Sequence, residues 1–526
     1  MDTIPRTSPR EAVPPLNEGV STEATSKQIR GSSLLLFGRV IATAVNVVIQ
    51  VIIVRYLSKT QFGAFAYALS LVTLAETLTT AGLDRAITRF LPIYDEEGKP
   101  GKMLGTLVLV GGAILSLGLA VTLIALGLRA LGGGGALGDE QAVALLTIMI
   151  VLAPVQALDN VIAGVFAVFS KPTAIFFRKY VLEPALKLGA VAALVWSQST
   201  PSALAAGYVI AGVVGMLLYV VVLLRMLKRT GTMRRFRRSR MEVPVREVLS
   251  FTVPLLTSDL LYSVMTTSDA FLLARWGGAE DVADFRVVQP AARLNQLVLT
   301  SFALLFTTVA ARLFARRNKR ELGHLYWQTA VWMAVLAFPM FAVTFALARP
   351  ITETMYGARY ADSAVLMTLL SFGYYFNVVL GFNGLVLKVV GKLRAVVAIN
   401  ALALIVNLVL NIFLIRAFGA LGAAIGTAAT LVIHNLLKQG ALRLATGVSL
   451  FERSHRRLYT TIVLTAAALL VLDVVARPPL IVGLAFAGIG SLVVLAVGRR
   501  SLRVDDTFPE LMRYRLVRML AGVRER

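Results

Sequence analysis

Arg225-Met-Leu-Lys-Arg-Thr-Gly-Thr-Met-Arg-Arg-Phe-Arg-Arg-Ser-Arg-Met-Glu-Val-Pro-Val-Arg246 places nine cationic residues in one gap between two apolar runs, 203–224 and 248–274. Each run is about 20 residues of mostly apolar character, the length that roughly 30 Å of hydrocarbon requires of a helix. Working outward, the same spacing recurs. Membrane-length segments fall at 31–56, 62–91, 103–128, 141–169, 173–197 and 203–224, then at 248–274, 285–311, 325–348, 363–387, 395–415, 420–437, 458–475 and 480–498. Fourteen spans are predicted. Lys and Arg alternate between the gaps, with 27 in or beside the even-numbered gaps and 8 in or beside the odd ones. The Lys/Arg excess stays on the cytoplasmic side, so both termini are expected in the cytoplasm and the protein in the cytoplasmic membrane.

Composition agrees. The 526 residues are 57% hydrophobic and 16% charged, against about 45–50% and about 25% for soluble chains. The spans leave no room for a soluble catalytic domain. A net charge of +24 raises nucleic acid as a partner, but the charge lies in loops that face the anionic inner leaflet, so lipid headgroups are the expected partner and nucleic acid is not. The chain has no cysteine and three histidines, His324, His434 and His455. That excludes disulfides and thiolate chemistry, and suggests no metal site. No cofactor is expected. The Gly132–Gly135 run follows no strand and reads as a linker.

Residues 1–30 carry Pro5, Pro9, Pro14 and Pro15 with balanced charge and read as a disordered tail. The tail 499–526 is basic and can form an amphipathic helix on the membrane surface. Between them the first half lies on the second at an offset of 220: Arg55 on Arg275, Phe65 on Phe285, Leu74 on Leu294 and Lys99 on Lys319. The repeat holds six helices, an even number, so both copies insert the same way. The expected fold is an all-α integral membrane protein of about fourteen helices. Two six-helix lobes, 31–224 and 248–445, are related by a pseudo-two-fold along the membrane normal. The basic linker 225–247 joins them, and two extra helices occupy 446–498.

Charged groups inside a membrane are costly, about 2.5–3.5 kcal/mol each on insertion scales, and they fall on faces here. Arg39, Thr43, Asn46 and Gln50 share one side of helix 1, and Thr73, Glu76, Thr80 and Asp84 one side of helix 2. Helix 7 carries Asp259, Tyr262, Thr266 and Asp269; helix 8 carries Arg286, Gln289, Arg293, Gln296 and Thr300. Helices 1, 2, 7 and 8 are those expected at the seam between lobes. Arg39 and Arg293 have no acid one turn away on their own helices, which favours cavity lining, with Asp259 and Asp269 as candidate partners or coupling groups. Lys179, Glu183 and Lys187 stand at i, i+4 and i+8, so each Lys can pair with the Glu. Asn400, Asn407 and Asn411 read as contacts between helices, as does His434.

Five stretches carry a resemblance: 284–293 (DFRVVQPAAR), 311–321 (ARLFARRNKRE), 355–361 (MYGARYA), 391–394 (GKLR) with Asn400 and 407–411 (NLVLN), and 418–426 (FGALGAAIG). Arg55-Tyr-Leu57 followed by Phe62-Gly63 adds to them. In their order and spacing they resemble the polysaccharide and oligosaccharide flippases of the multidrug/oligosaccharidyl-lipid/polysaccharide exporter superfamily. The resemblance implies a flippase that moves a polyprenyl-diphosphate-linked oligosaccharide across the membrane by rocking of two lobes, for cell-surface polysaccharides such as lipopolysaccharide or exopolysaccharide. It implies cationic cavity residues facing the diphosphate, here Arg39, Arg286 and Arg293, with Asn46, Gln50, Gln289 and Gln296 lining the same cavity. Glu76, Glu183, Lys187, Asp259 and Asp269 are the coupling or ion-pair candidates. Other polysaccharide assembly proteins are possible partners. Three alternatives stand beside this reading: a cation-coupled multidrug or small-molecule exporter of the same superfamily; a membrane glycan polymerase or ligase, which the short outside gaps disfavour; and a non-transporting scaffold for a glycan assembly complex.

Overall fold

The computed structural model describes residues 18–130 and 140–502. The Gly132–Gly135 linker, the first seventeen residues and most of the basic C-terminal tail lie outside the described residues. Within them the chain is helical throughout, and eleven helices are long and apolar enough to cross a membrane.

The first lobe comprises α1 (Glu18–Tyr56), α2 (Lys59–Thr80), α3 (Leu83–Glu96), α4 (Pro100–Ala130), α5 (Glu140–Met149), α6 (Leu152–Val168), α7 (Pro172–Phe176), α8 (Glu183–Trp196) and α9 (Pro201–Arg229). The short helix α10 (Thr232–Arg238) lies in the basic linker. The second lobe holds α11 (Val245–Trp276), α12 (Gly278–Ala292), α13 (Gln296–Ala315), α14 (Lys319–Ala346), α15 (Ala348–Tyr356), α16 (Ser363–Val379), α17 (Asn383–Val389) and α18 (Leu393–Thr446). Then come α19 (Arg456–Ala476) and α20 (Leu480–Leu502).

The expected spans and these helices differ in instructive ways. Helix α1 begins at Glu18, inside the stretch expected to be disordered. The four prolines all precede it, and 18–30 holds none. Span 2 breaks at Ala81 and Gly82, both at positive φ, so Asp84 opens α3 and leaves the face of Thr73 and Glu76. Span 5 is interrupted by a π-helical turn, Phe177–Leu182. Span 8 is interrupted by a 3₁₀ turn, Arg293–Asn295, just after Pro290. Spans 11 and 12 run together as the 54-residue α18, which reverses at Gly419, where φ is 56° and ψ −131°. Its halves lie antiparallel: Asn400 Oδ1 and His434 Nε2 are 2.9 Å apart, and Asn407 Nδ2 donates to Thr430 Oγ1 at 3.4 Å. A Cβ on Gly422 would stand 2.0 Å from the Leu414 carbonyl oxygen. The small residues of 419–426 therefore serve close helix approach, which carries much of helix association in lipid.

The lobes meet most tightly at one end. There α2 crosses α12 so closely that a Cβ on Gly63 would stand 1.8 Å from the Ala279 carbonyl oxygen. Lys59 Nζ pairs with Asp284 at 2.8 Å, and Ser363 Oγ donates to the same carboxylate at 2.7 Å. Arg359 donates to the Leu57 carbonyl at 2.7 Å and to that of Val54, while Arg55 donates to Met355 at 2.8 Å and to Thr354. A continuous apolar cluster, with Ile53, Phe65, Phe285 and Tyr360 all buried, lies beneath these bonds. Ser58 fixes the entry of α2 by a capping box: its Oγ accepts from the Gln61 N–H and its own N–H donates to Gln61 Oε1. Nearer the opposite end, Arg85 pairs with Asp259 at 3.0 Å and Thr77 Oγ1 donates to Ser263 Oγ at 3.0 Å, tying the first lobe to α11.

Candidate functional site

Two polar cavities lie below the latched end. The first, about 350 Å³, is walled by both lobes: Asn46 and Gln50 of α1, Thr73 of α2, Lys187 of α8 and Tyr208 of α9 face Thr266, Arg286, Gln289 and Arg293. The second, about 320 Å³, lies within the second lobe, among Asp259, Tyr262, Asp269, Gln296, Tyr374, Lys388, Asn400 and Lys438. Arg293 and Thr266 belong to both walls.

Pro290 explains the local backbone. It has no N–H to return to the Arg286 carbonyl. Gln50 Nε2, from the other lobe, stands 3.5 Å from that oxygen and donates to Val287 O at 3.0 Å. The same break turns Arg293 into a 3₁₀ turn, from which its Nε donates to Tyr374 Oη at 2.7 Å, with the guanidinium 5.4 Å from that ring. Arg286 is different. One N–H donates to Gln289 Oε1 at 2.8 Å, and its Nε and Nη2 are shielded from solvent with no partner among the described residues.

The acids expected nearby are engaged elsewhere. Asp259 pairs with Arg85. Asp269 is buried and accepts from Asn411 Nδ2 at 2.5 Å and Thr427 Oγ1 at 2.9 Å. Neither is the direct partner of Arg39 or Arg293 that the spacing suggested, because Arg293 turns to Tyr374. Glu76 accepts from Asn160 at 3.0 Å, and Asn160 in turn accepts from Lys179 at 2.6 Å. Asp159 and Arg178 form a buried pair, 2.9 Å apart though off the hydrogen-bond line. Glu183 binds Lys187 at 2.7 Å, with Arg178 at 3.8 Å. The π-helical turn points Arg178 and Lys179 into this network, so Glu76, Asp159 and Glu183 meet three cations, Arg178, Lys179 and Lys187.

Asn46, Gln50, Lys187, Arg286, Gln289 and Arg293 are thus brought together at the seam, and Asp259, Asp269 and Gln296 in the adjoining cavity. Arg39 is exposed and stands on neither wall, two turns from Asn46 toward the start of α1. Glu76 faces its own lobe. Sequence reasoning missed Tyr374, Tyr208, Lys388 and Lys438. Lys388 and Lys438 bound spans and read as topology signals, and a lone tyrosine carries no pattern.

Comparison with known proteins now places the fold. The polysaccharide biosynthesis protein family matches residues 29–307, more than half of the chain. The chain belongs to that family. A second family, MatE, matches residues 254–413. A putative O-antigen transporter of Shigella flexneri is 23% identical over 419 residues, covering 78% of this chain and 96% of the relative. An uncharacterised membrane protein of Methanocaldococcus jannaschii is 19% identical over 414 residues, 76% of this chain and 81% of the relative. Among solved structures, the lipid II flippase MurJ in an inward closed conformation superposes with a TM-score of 0.69 at 13% identity, over 90% of this chain and 99% of that one. An inward-facing multidrug resistance MATE family transporter gives 0.61 at 16% identity, over 78% and 96%. Family and fold agree on an all-α, multi-pass membrane protein of two six-helix lobes with two further helices.

Proposed function

We propose that this chain is a flippase for a polyprenyl-diphosphate-linked oligosaccharide, working by alternating access in the cytoplasmic membrane during cell-surface polysaccharide synthesis. Arg286 carries the reading: a guanidinium with two sheltered nitrogens that have no partner among the described residues, on a cavity walled by both lobes. An unpaired cation in low dielectric is costly unless an anion or water completes it. A diphosphate fits that demand. Arg293 adds charge on the same wall, Lys187 stands on the facing wall paired with Glu183, and Asn46, Gln50, Gln289 and Gln296 offer amides to sugar hydroxyls in place of water. The polyprenyl tail stays in lipid while the head crosses. The lobes 31–224 and 248–445 are the moving bodies in this reading, with both termini cytoplasmic and the latched end outward. The relatives named as an O-antigen transporter and a lipid II flippase support the substrate class.

The test is flipping of a labelled undecaprenyl-diphosphate oligosaccharide in proteoliposomes. Arg286→Gln is expected to lose transport and Arg286→Lys to keep part of it, while Arg39→Ala retains it. Full transport by correctly folded Arg286→Gln removes this anion site. A second reading, a cation-coupled exporter, draws on the MatE match and on Asp269 in the second-lobe cavity. It predicts dye export driven by a proton or sodium gradient and abolished by Asp269→Asn.

A further inference from the structure

We propose that a phosphate-bearing anion binds far from the seam, in a groove where α14, the end of α18 and α20 meet. The groove has a volume of about 880 Å³. Lys319, Arg320 and His324 line it from the first turns of α14, and Ser454 and His455 from the loop before α19. Three observations point to an anion. The side chains of Lys319, Arg320 and His324 are exposed and make no ion pair or hydrogen bond among the described residues. Lys319 and Arg320 open a 28-residue helix whose first turn holds one acid, Glu321, so two cations stand against one carboxylate at the end where the helix dipole favours an anion. An anion between them relieves both conflicts. His455 is part-exposed, but its Nδ1 is sheltered from solvent with no partner among the described residues and donates in the Nδ1–H tautomer.

The groove's acid does not fill this role. Glu452 is held within its own loop, accepting from Ser449 Oγ and Ser454 Oγ at 3.3 Å each. Ser449 also accepts from the Trp327 indole at 3.1 Å, which fixes the floor. A phosphate group, with several acceptor oxygens, suits donors that converge from separate elements. Gln328 Nε2 donates to the Leu502 carbonyl at 3.1 Å beside the groove, so an anion there would also fasten α20 to α14. The phosphate can belong to a lipid headgroup or to a free phosphate compound.

The full chain, purified in detergent, is titrated with inorganic phosphate against chloride at equal ionic strength, and unfolding temperature is read. In parallel, retention of phosphatidic acid against phosphatidylcholine is read by native mass spectrometry. Binding is expected to weaken about tenfold in Lys319→Gln/Arg320→Gln/His324→Gln and to hold in Lys99→Gln. Retention of phosphatidic acid with no response to phosphate assigns the lipid source, and a response to both shows that phosphate suffices. Binding of neither overturns the proposal, as does equal binding by wild type and the triple variant, or equal loss in Lys99→Gln. So does a Asp505→Asn/Asp506→Asn variant that reproduces the triple variant's stability change while phosphate has no effect, because the chain's own acidic pair would then be the occupant.

Discussion

Removing the Arg359 guanidinium should open the latched end. Arg359 donates to two main-chain carbonyls of the opposite lobe, Leu57 at 2.7 Å and Val54, and its guanidinium carbon lies 5.3 Å from the Tyr360 ring centre. Hydrogen bonds from a charged donor contribute about 1.5–3 kcal/mol. The site is only part-buried, so that range is taken for both bonds together. Arg359→Gln keeps a polar side chain but cannot reach both carbonyls. The ratio of closed to open latch should fall roughly 10- to 150-fold, at 1.4 kcal/mol per factor of ten. The chain has no cysteine, which gives a background-free assay. Thr73 faces the inter-lobe cavity, fourteen residues along α2 from Lys59 and hence about 20 Å below the latch. In oriented vesicles, Thr73→Cys should react slowly with an impermeant thiol reagent applied from the latched side, and at least tenfold faster once Arg359→Gln is added. An unchanged rate, in protein with an unchanged melting profile, refutes the latch as the barrier.

Three further outcomes follow from the packing. Asp159→Asn leaves Arg178, 4% exposed, without its close partner, and should destabilise the fold by about 3–5 kcal/mol in a denaturant titration; Asp159→Leu with Arg178→Met should recover most of it. Gly63→Val drives a Cβ into the Ala279 carbonyl oxygen, so the latch cannot close and Thr73→Cys should label quickly from the latched side, and Ala279→Gly should not restore closure because the clash is with main chain. Gly419→Ala places a Cβ 2.4 Å from Asp281 Oδ2 at a φ of 56° and ψ of −131°, a region outside those open to an L-residue; it should lower the yield of folded protein on size-exclusion chromatography far more than Gly488→Ala, where a Cβ meets open space.

Apolar length was enough to locate the helical segments, since it is a property of single segments facing lipid, although eleven rather than fourteen helices of the described residues are long and apolar enough to span. The breaks were not legible in hydropathy. Ala81–Gly82, the π-helical turn and the 3₁₀ turn after Pro290 all sit inside apolar runs, where the average hides them. Pro290 was a visible signal for the last. For the site, period and residue type selected Gln50, Arg286, Gln289 and Arg293, which the structure gathers. Partner choice was different: Arg293 meets Tyr374, Asp259 meets Arg85, and Asp269 meets Asn411 and Thr427. Each pairing spans 81 to 174 positions and joins separate helices, and spacing on one helix carries no information about it. Arg39 shows the limit from the other side: of the face Arg39, Thr43, Asn46 and Gln50, only Asn46 and Gln50 line the cavity.

The placement of ion pairs separates what holds from what moves. Arg178–Asp159 lies inside one lobe with side chains 5% and 7% exposed, and breaking such a pair costs about 3–5 kcal/mol. Lys59–Asp284 lies across the seam with side chains 25% and 16% exposed, where water reaches both partners. Part-exposed pairs are worth nearer the 0–1 kcal/mol of surface salt bridges. A carrier that rocks must break its seam contacts once per cycle and its internal contacts never. Differential binding of a ligand supplies a few kcal/mol at most between two states. A seam latched by pairs as buried as Arg178–Asp159 would exceed that range, and the lobes would stay closed. The strong pairs lie where the lobe must stay rigid, and the weak ones lie across the gate.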